Sequence, residues 1–163
     1  MTRAEILARD IVRLKPVHPQ LRGYIEKILF AMDGLGFPMT VTAGARTTVQ
    51  QMALWQKGRR FDPVAKLWVP INPVTRTGIV TNADGTTRLS NHQITNDGWG
   101  YAVDCAFLID GPDHDDELDT PSWDESHPWA LYGEMGEALG GSAILWGGRW
   151  KTLRDLPHLE LRR

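Results

Sequence analysis

One carboxylate breaks a run that should otherwise be buried. From Tyr101 to Ile109 the chain reads YAVDCAFLI, with the length and the β-branched and aromatic content of a buried strand. Alternation puts Ala102, Asp104, Ala106 and Leu108 on one face, and Tyr101, Val103, Cys105, Phe107 and Ile109 on the other. A mid-strand carboxylate is costly to bury unless it is paired or coordinates a metal. The alanines two residues to either side leave room beside Asp104, which is therefore read as a ligand. His92 lies upstream in a polar, turn-rich segment. Near the C-terminus, in Asp155-Leu156-Pro157-His158-Leu159-Glu160-Leu161, a short strand would set His158 and Glu160 on one face and Leu159 and Leu161 on the other. Two histidines and one aspartate from separate elements could make a three-ligand zinc site with an open fourth position. Zinc leaves that position to water and lowers the water's pKa to about 7. A nearby carboxylate, Asp155 or Glu160, would then serve as general base.

These residues carry a family resemblance. The chain resembles the VanY-type D-alanyl-D-alanine carboxypeptidases, and more closely the phage endolysins that act as L-alanyl-D-glutamate peptidases. Their pattern is Ser-x-His, then Gly-x-Ala-x-Asp, then Asp/Glu-x-x-His. Here it reads Ser90-Asn91-His92, Gly100-Tyr101-Ala102-Val103-Asp104 and Asp155-Leu156-Pro157-His158. Gly44-Ala45-Arg46-Thr47 with Gln51, Leu54 and Gly58-Arg59 is similar to an upstream segment of the family, and Trp146-Gly147-Gly148-Arg149-Trp150 to its Trp-Gly-Gly-x-Trp signature. The resemblance implies that His92, Asp104 and His158 hold Zn2+. It implies Asp155 as the base, with Glu160 as an alternative base or as outer support. It also implies that Arg46 recognises a substrate carboxylate, with Gln51 and Ser90 as further substrate-binding candidates. Ser90 could equally shape its turn, and Trp146 and Trp150 could pack or line the cleft. The family spaces its histidine and aspartate seven apart, whereas His92 and Asp104 are twelve apart, so the extra residues fall within Gln93–Trp99. A loop there is tolerable, because added loop length adds little closure entropy.

The elements that must position these residues follow from the rest of the chain. Its 163 residues suit one compact domain with a real core. A net charge of −2 implies no general attraction to nucleic acid or to anionic membranes. A single cysteine, Cys105, excludes an internal disulfide and reads as an inert buried residue. No signal peptide and no membrane span is visible, so the protein is expected to stay in the cytoplasm until released.

Thr2–Leu14 reads as a helix opened by a capping box (Thr2, Glu5), with Ile6, Leu7, Ile11 and Leu14 as its apolar stripe. His18–Leu35 is a second helix, with Leu21, Ile25, Ile28, Leu29 and Met32 inward. This pair is expected to cover the core rather than anchor to the wall. Pro38–Ala43 is a predicted strand and Thr47–Lys57 a predicted helix. Gly58–Ser90 reads as irregular, with a turn at Asn82-Ala83-Asp84-Gly85, a hairpin as one option over 79–89, and Arg59 and Arg60 solvated. The acidic stretch 109–127 does not fit a calcium-loop pattern and is read as solvated, with His114 and His127 exposed. Pro128–Leu139 is a predicted helix and Ala143–Trp146 a predicted strand.

The combined expectation is an α+β fold: a small antiparallel sheet carrying one zinc site, with helices packed around it. Residues 1–163 form a single peptidase domain, with 1–36 as helical cover and 37–163 as catalytic core. The expected substrate is the bacterial peptidoglycan stem peptide, acted on by a monomer. The rivals are a D-alanyl-D-alanine carboxypeptidase and a catalytically silent, zinc-stabilised wall-binding module.

Overall fold

A computed structural model describes residues 2–111 and 118–163. Helix α1 (Arg3–Leu14) opens on a complete capping box: Thr2 Oγ1 accepts from the Glu5 N–H at 3.3 Å, and the Glu5 carboxylate accepts from the Thr2 N–H at 2.9 Å. Its buried face is Ile6, Asp10 and Leu14. Leu7 and Ile11 are exposed, contrary to the apolar stripe read from the sequence. The reason is Asp10, which turns inward to accept from Thr40 Oγ1 at 2.7 Å and from the Val41 N–H at 3.1 Å. Helix α2 (Pro19–Gly34) is capped by His18 and buries Leu21, Ile25, Ile28 and Met32. It stops at Gly36, whose φ of 82° suits glycine.

The main sheet is antiparallel throughout. Strands β1 (Met39–Ala43), β4 (Ala102–Asp110), β7 (His158–Leu161) and β6 (Ile144–Trp146) lie in that order, and β5 (Leu118–Ser122) also pairs with β4. Helix α4 (Trp129–Gly140) and α2 close one hydrophobic core over it, with Ile25, Ile28, Val41, Val103, Tyr132 and Leu159 among the fully buried members. This is the expected small antiparallel sheet with helices around it. Cys105 is fully buried in that core, and burial pushes its thiol up to about 12, which fits an inert residue. No described helix is long and apolar enough to cross a membrane.

Helix α3 (Thr48–Gln56) begins with a second capping box, Thr47 with Gln50. Strands β2 (Arg59–Asp62) and β3 (Leu67–Pro70) then form a hairpin where the sequence read irregular chain. Trp68 stands edge-on to Trp55 and Phe61 at centroid distances of 6.1 and 5.8 Å, and this small aromatic cluster holds the hairpin against α3. Arg59 is not solvated: its guanidinium lies 4.7 Å over the Trp55 ring and donates to Thr81 O at 3.2 Å. Residues 79–89 contain no strand, so the hairpin option there is not realised.

The acidic stretch also departs from expectation. Part of it is β5, and His127 is half-buried, stacked on Phe107 at 4.7 Å and bonded to Ser122 Oγ at 2.8 Å. Asp113, Asp115, Asp116 and Glu117 of the acidic stretch, and His114, which was expected to be exposed, lie outside the described residues.

Gly133 faces the Trp146 ring so closely that a Cβ there would sit 2.0 Å from it. Gly133→Ala is therefore expected to lower stability by about 1–3 kcal/mol in urea unfolding, although alanine is the better helix former. Unchanged or raised stability would show that the ring moves aside freely.

Candidate active site

Strand pairing does most of the assembly. Asp104 of β4 lies directly opposite His158 of β7, and Ala43 of β1 pairs with Asp104 from the other side. Leu159 and Leu161 point into the core, which leaves His158 and Glu160 on the face of Asp104. His92 has no strand to hold it. Its loop is tied to the chain after β1 instead: the Arg46 N–H donates to His92 O at 2.7 Å, and the Ile94 N–H donates to Arg46 O at 2.8 Å. The Tyr101 N–H donates to Asn91 O at 2.7 Å. Gly100 is needed at this crossing, since a Cβ there would lie 2.5 Å from Ala45 and 2.8 Å from His92 O.

The extra residues after His92 do not displace it. They close on themselves, with the Thr95 N–H donating to Trp99 O at 3.1 Å and Asp97 accepting from Thr95 Oγ1 at 2.6 Å.

Three potential ligand atoms converge. His92 Nε2, Asp104 Oδ1 and His158 Nδ1 all lie within 4.8 Å of one another, at separations of 3.2, 2.9 and 3.3 Å. The far nitrogen of each imidazole is spoken for. His92 Nδ1 is 2.8 Å from Gly44 O and so carries the donated proton, and His158 Nε2 is 3.0 Å from the Glu160 carboxylate and does the same. Neutral His92 therefore turns a lone pair inward from Nε2, and neutral His158 from Nδ1. Two lone pairs and an anionic oxygen at such distances repel unless a cation lies among them. The donor set, two imidazoles and one carboxylate, fits a divalent metal and suits zinc.

In the metal-free protein a proton plays that part. Burial alone would keep His158 uncharged, but its bonds to Asp104 and Glu160 outweigh burial and push its pKa up to about 9. Burial would raise the Asp104 carboxyl, and the charges and hydrogen bonds of His92 and His158 reverse this and hold it well below the usual range.

The other expected site residues separate into distinct positions. Asp155 is half-buried, and its carboxyl is raised by burial and then by the charge of Asp104, against the pull of His158, His92 and Arg46. A raised carboxyl close to the cluster has the character of a proton carrier. Its turn is held by a close approach: a Cβ on Gly147 would lie 2.4 Å from Asp155 O and 3.1 Å from the His158 Cβ. Burial works against charge on Glu160, but His158 and Asn91 hold its pKa low, and Asn91 Nδ2 donates to it at 2.7 Å. Glu160 is thus engaged as the orienting partner of His158.

Arg46 reaches Asp104 Oδ2 at 3.4 Å, so its guanidinium already faces a carboxylate of this chain. Gln51 is wholly buried and donates to Ala83 O at 2.9 Å, which makes it a tether for the loop rather than a surface open to a ligand. Ser90 Oγ accepts from the His92 N–H at 3.3 Å and shapes the turn. Trp150 stands 5.0 Å from the His158 ring and lines a groove of about 590 Å³, whereas Trp146 is buried and donates to Leu156 O at 2.9 Å. The groove's walls come from 79–83, Arg88, Leu89 and 153–155, with Asn91 and Glu160 also exposed to it. Asn91, Arg88 and Arg154 were not singled out from the sequence. Asn91 alone had a signal there, as the neighbour of the candidate ligand His92.

Residues 84–161, which contain all three candidate ligands and Asp155, match the family model described as D-alanyl-D-alanine carboxypeptidase. Together with the converging donor set, this match supports a metallopeptidase. Among curated relatives, the peptidoglycan L-alanyl-D-glutamate endopeptidase CwlK of Bacillus subtilis (strain 168) is 26% identical over 152 residues, covering 89% of this chain and 73% of that protein. The crystal structure of the L-Ala D-Glu endopeptidase ChiX of Serratia marcescens shares the fold with a TM-score of 0.59 at 23% identity, over 95% of this chain and 87% of that one. A mutant of the vancomycin-resistance D,D-pentapeptidase VanY, in complex with Zn(II), shares it with a TM-score of 0.54 at 15% identity, over 89% and 72% of the two chains.

A pH dependence follows. A protonated His158 contributes stability to the metal-free protein that is complete below its ordinary pKa of 6.5 and is lost as pH rises through about 9. Urea unfolding of metal-free protein is expected to weaken across that interval. Zinc-loaded protein should not weaken there, because metal binding removes the proton and tightens as pH rises. His158→Ala should abolish stoichiometric metal binding, and full metal content in that variant would remove His158 from the ligand set.

Proposed function

We propose that this protein is a zinc-dependent peptidase that hydrolyses a stem-peptide bond of peptidoglycan, and that the bond is the one between L-alanine and D-glutamate. The observation that carries the reading is the convergence of His92 Nε2, Asp104 Oδ1 and His158 Nδ1 beside a half-buried Asp155, which also lines a groove. The bond assignment is supported by the similarity to CwlK along most of the chain.

His92, Asp104 and His158 would hold the ion. When bound, zinc supplies a Lewis acid and lowers the pKa of a coordinated water. The chain's own residues do the rest. Asp155, with its carboxyl raised by burial and by Asp104, takes a proton from the attacking water and returns one to the leaving amine. Glu160 keeps the proton of His158 on Nε2, so that Nδ1 stays available as a ligand. Arg46 holds Asp104 Oδ2, which leaves Oδ1 directed at the cluster. Trp150 closes one side of the site against water.

A D-alanyl-D-alanine carboxypeptidase is the second reading, favoured by the description of the matched family. A silent binding module is disfavoured. A purely structural zinc normally has four protein ligands, and here three converge beside a proton carrier.

Digestion of purified peptidoglycan, with the new termini identified by mass spectrometry, separates these readings. New amino termini on D-glutamate are expected, and release of free D-alanine alone would favour the carboxypeptidase. Asp155→Asn should cut hydrolysis by about 100-fold or more while zinc content stays at the wild-type level. Glu160→Gln should mainly weaken zinc affinity, by about 10–100-fold. Near-normal turnover in Asp155→Asn with collapse in a zinc-loaded Glu160→Gln would reverse the two roles.

A further inference from the structure

We infer that Arg88 and Arg154 form a carboxylate-binding subsite in the groove beside the metal cluster, and that it takes the free α-carboxylate of the stem peptide's D-glutamate. This rests on the proposed stem-peptide activity.

Both arginines line the groove that also exposes Asp155 and Glu160. Arg46, Arg59, Arg149 and Arg163 each have a carboxylate, a carbonyl or an aromatic ring as partner. Among the described residues no hydrogen bond or ion pair engages the guanidinium of Arg88 or of Arg154. Glu160, an acid of the same groove, is already committed to His158 and Asn91. Arg46, the cation that the motif pattern offers for a substrate carboxylate, is committed to Asp104.

The backbone beneath each free guanidinium is fixed. Asp84 accepts from the N–H groups of Thr86, Thr87 and Arg88 at 2.7, 2.8 and 3.0 Å. The same loop is pinned from behind by Gln51 on Ala83 O at 2.9 Å and by Gln93 on Gly85 O at 2.7 Å. Arg154 precedes Asp155, whose N–H is held by Gly147 O at 3.1 Å. The subsite is therefore presented by two anchored loops from opposite parts of the chain.

The ligand class follows from chemistry. A guanidinium's paired donors match a carboxylate. A groove holding two acids would repel an anionic peptide without compensating cations. The aliphatic and aromatic lining, Ile79, Val80, Leu89, Trp150 and Leu153, suits a short peptide with small side chains. D-glutamate of the stem is joined through its side-chain carboxyl, so its α-carboxylate stays free next to the bond proposed for cleavage.

The test uses two synthetic stem peptides that differ only at this group, the free acid and the α-amide. Zinc-loaded wild type should cleave the acid with a kcat/KM about tenfold or more above the amide. Arg88→Gln and Arg154→Gln should each lower kcat/KM on the acid by about tenfold, mostly through KM, and leave the amide and the zinc content unchanged. Equal cleavage of acid and amide by wild type overturns the inference, as does an equal loss on both peptides in the variants. Calorimetry with zinc-loaded Asp155→Asn reads the subsite apart from hydrolysis. Tighter binding of the acid supports it and equal binding overturns it, even if wild type cleaves neither peptide, a result that would sink the proposed activity alone.

Discussion

The structure depends on one half-buried carboxylate. Asp104 stands in the middle of β4, with core residues before and after it, and its charge has to be met where it lies. The fold meets it from three directions: His158 from the neighbouring strand at 2.9 Å, His92 from a loop at 3.2 Å and Arg46 at 3.4 Å. Each compensating group sits on a different element, so the charge binds the N-terminal, central and C-terminal parts of the sheet to one point. The same requirement suits the centre to a metal ion. A proton on His158 meets the charge only in part, whereas a divalent ion would satisfy both imidazole lone pairs and the carboxylate together.

Around that point the chain places tight backbone contacts where a ligand loop needs a fixed origin. Gly100 lets the His92 loop cross Ala45, and Gly147 lets the Asp155 turn sit against His158. Gly133 lets Trp146 press into α4, and through its bond to Leu156 O that ring supports the same turn. The groove wall at 79–89 has no regular hydrogen bonding and is held by side chains from elsewhere, namely Gln51, Arg59 and Gln93. Stability and site geometry are therefore linked through a handful of buried polar bonds, each of which would leave an unmet group if one partner were removed.

Much of this was legible in the sequence, for identifiable reasons. Asp104 betrayed itself by interrupting an apolar run, and strand alternation was enough to set His158 and Glu160 against Leu159 and Leu161. The Thr2–Glu5 capping box marked the start of the first helix to the residue. The misses have physical causes too. Leu7 and Ile11 look like a core stripe until Asp10 is seen to bond with Thr40 and Val41, a contact thirty residues away in sequence. The β2–β3 hairpin depends on Trp55, Phe61 and Trp68 meeting in space, and β5 is an acidic, proline-containing strand that propensity argues against. Gln51 matched a family position, yet local periodicity could not reveal that it faces inward to hold a loop. The departures of Arg46 and Gln51 from free, substrate-facing positions became visible only once their partners, Asp104 and Ala83, were placed.

The central claim is that the two imidazoles are held in opposite tautomers so that their lone pairs converge with Asp104 on one ion. Nitrogen-15 NMR of the zinc-loaded protein reads this directly. The account predicts that His92 carries its proton on Nδ1, donated to Gly44 O, and that His158 carries its proton on Nε2, donated to Glu160. The shifts of His92 Nε2 and His158 Nδ1 should mark them as the metal-bound nitrogens. Finding both histidines in the same tautomer, or either inward nitrogen still protonated with zinc bound, would contradict it.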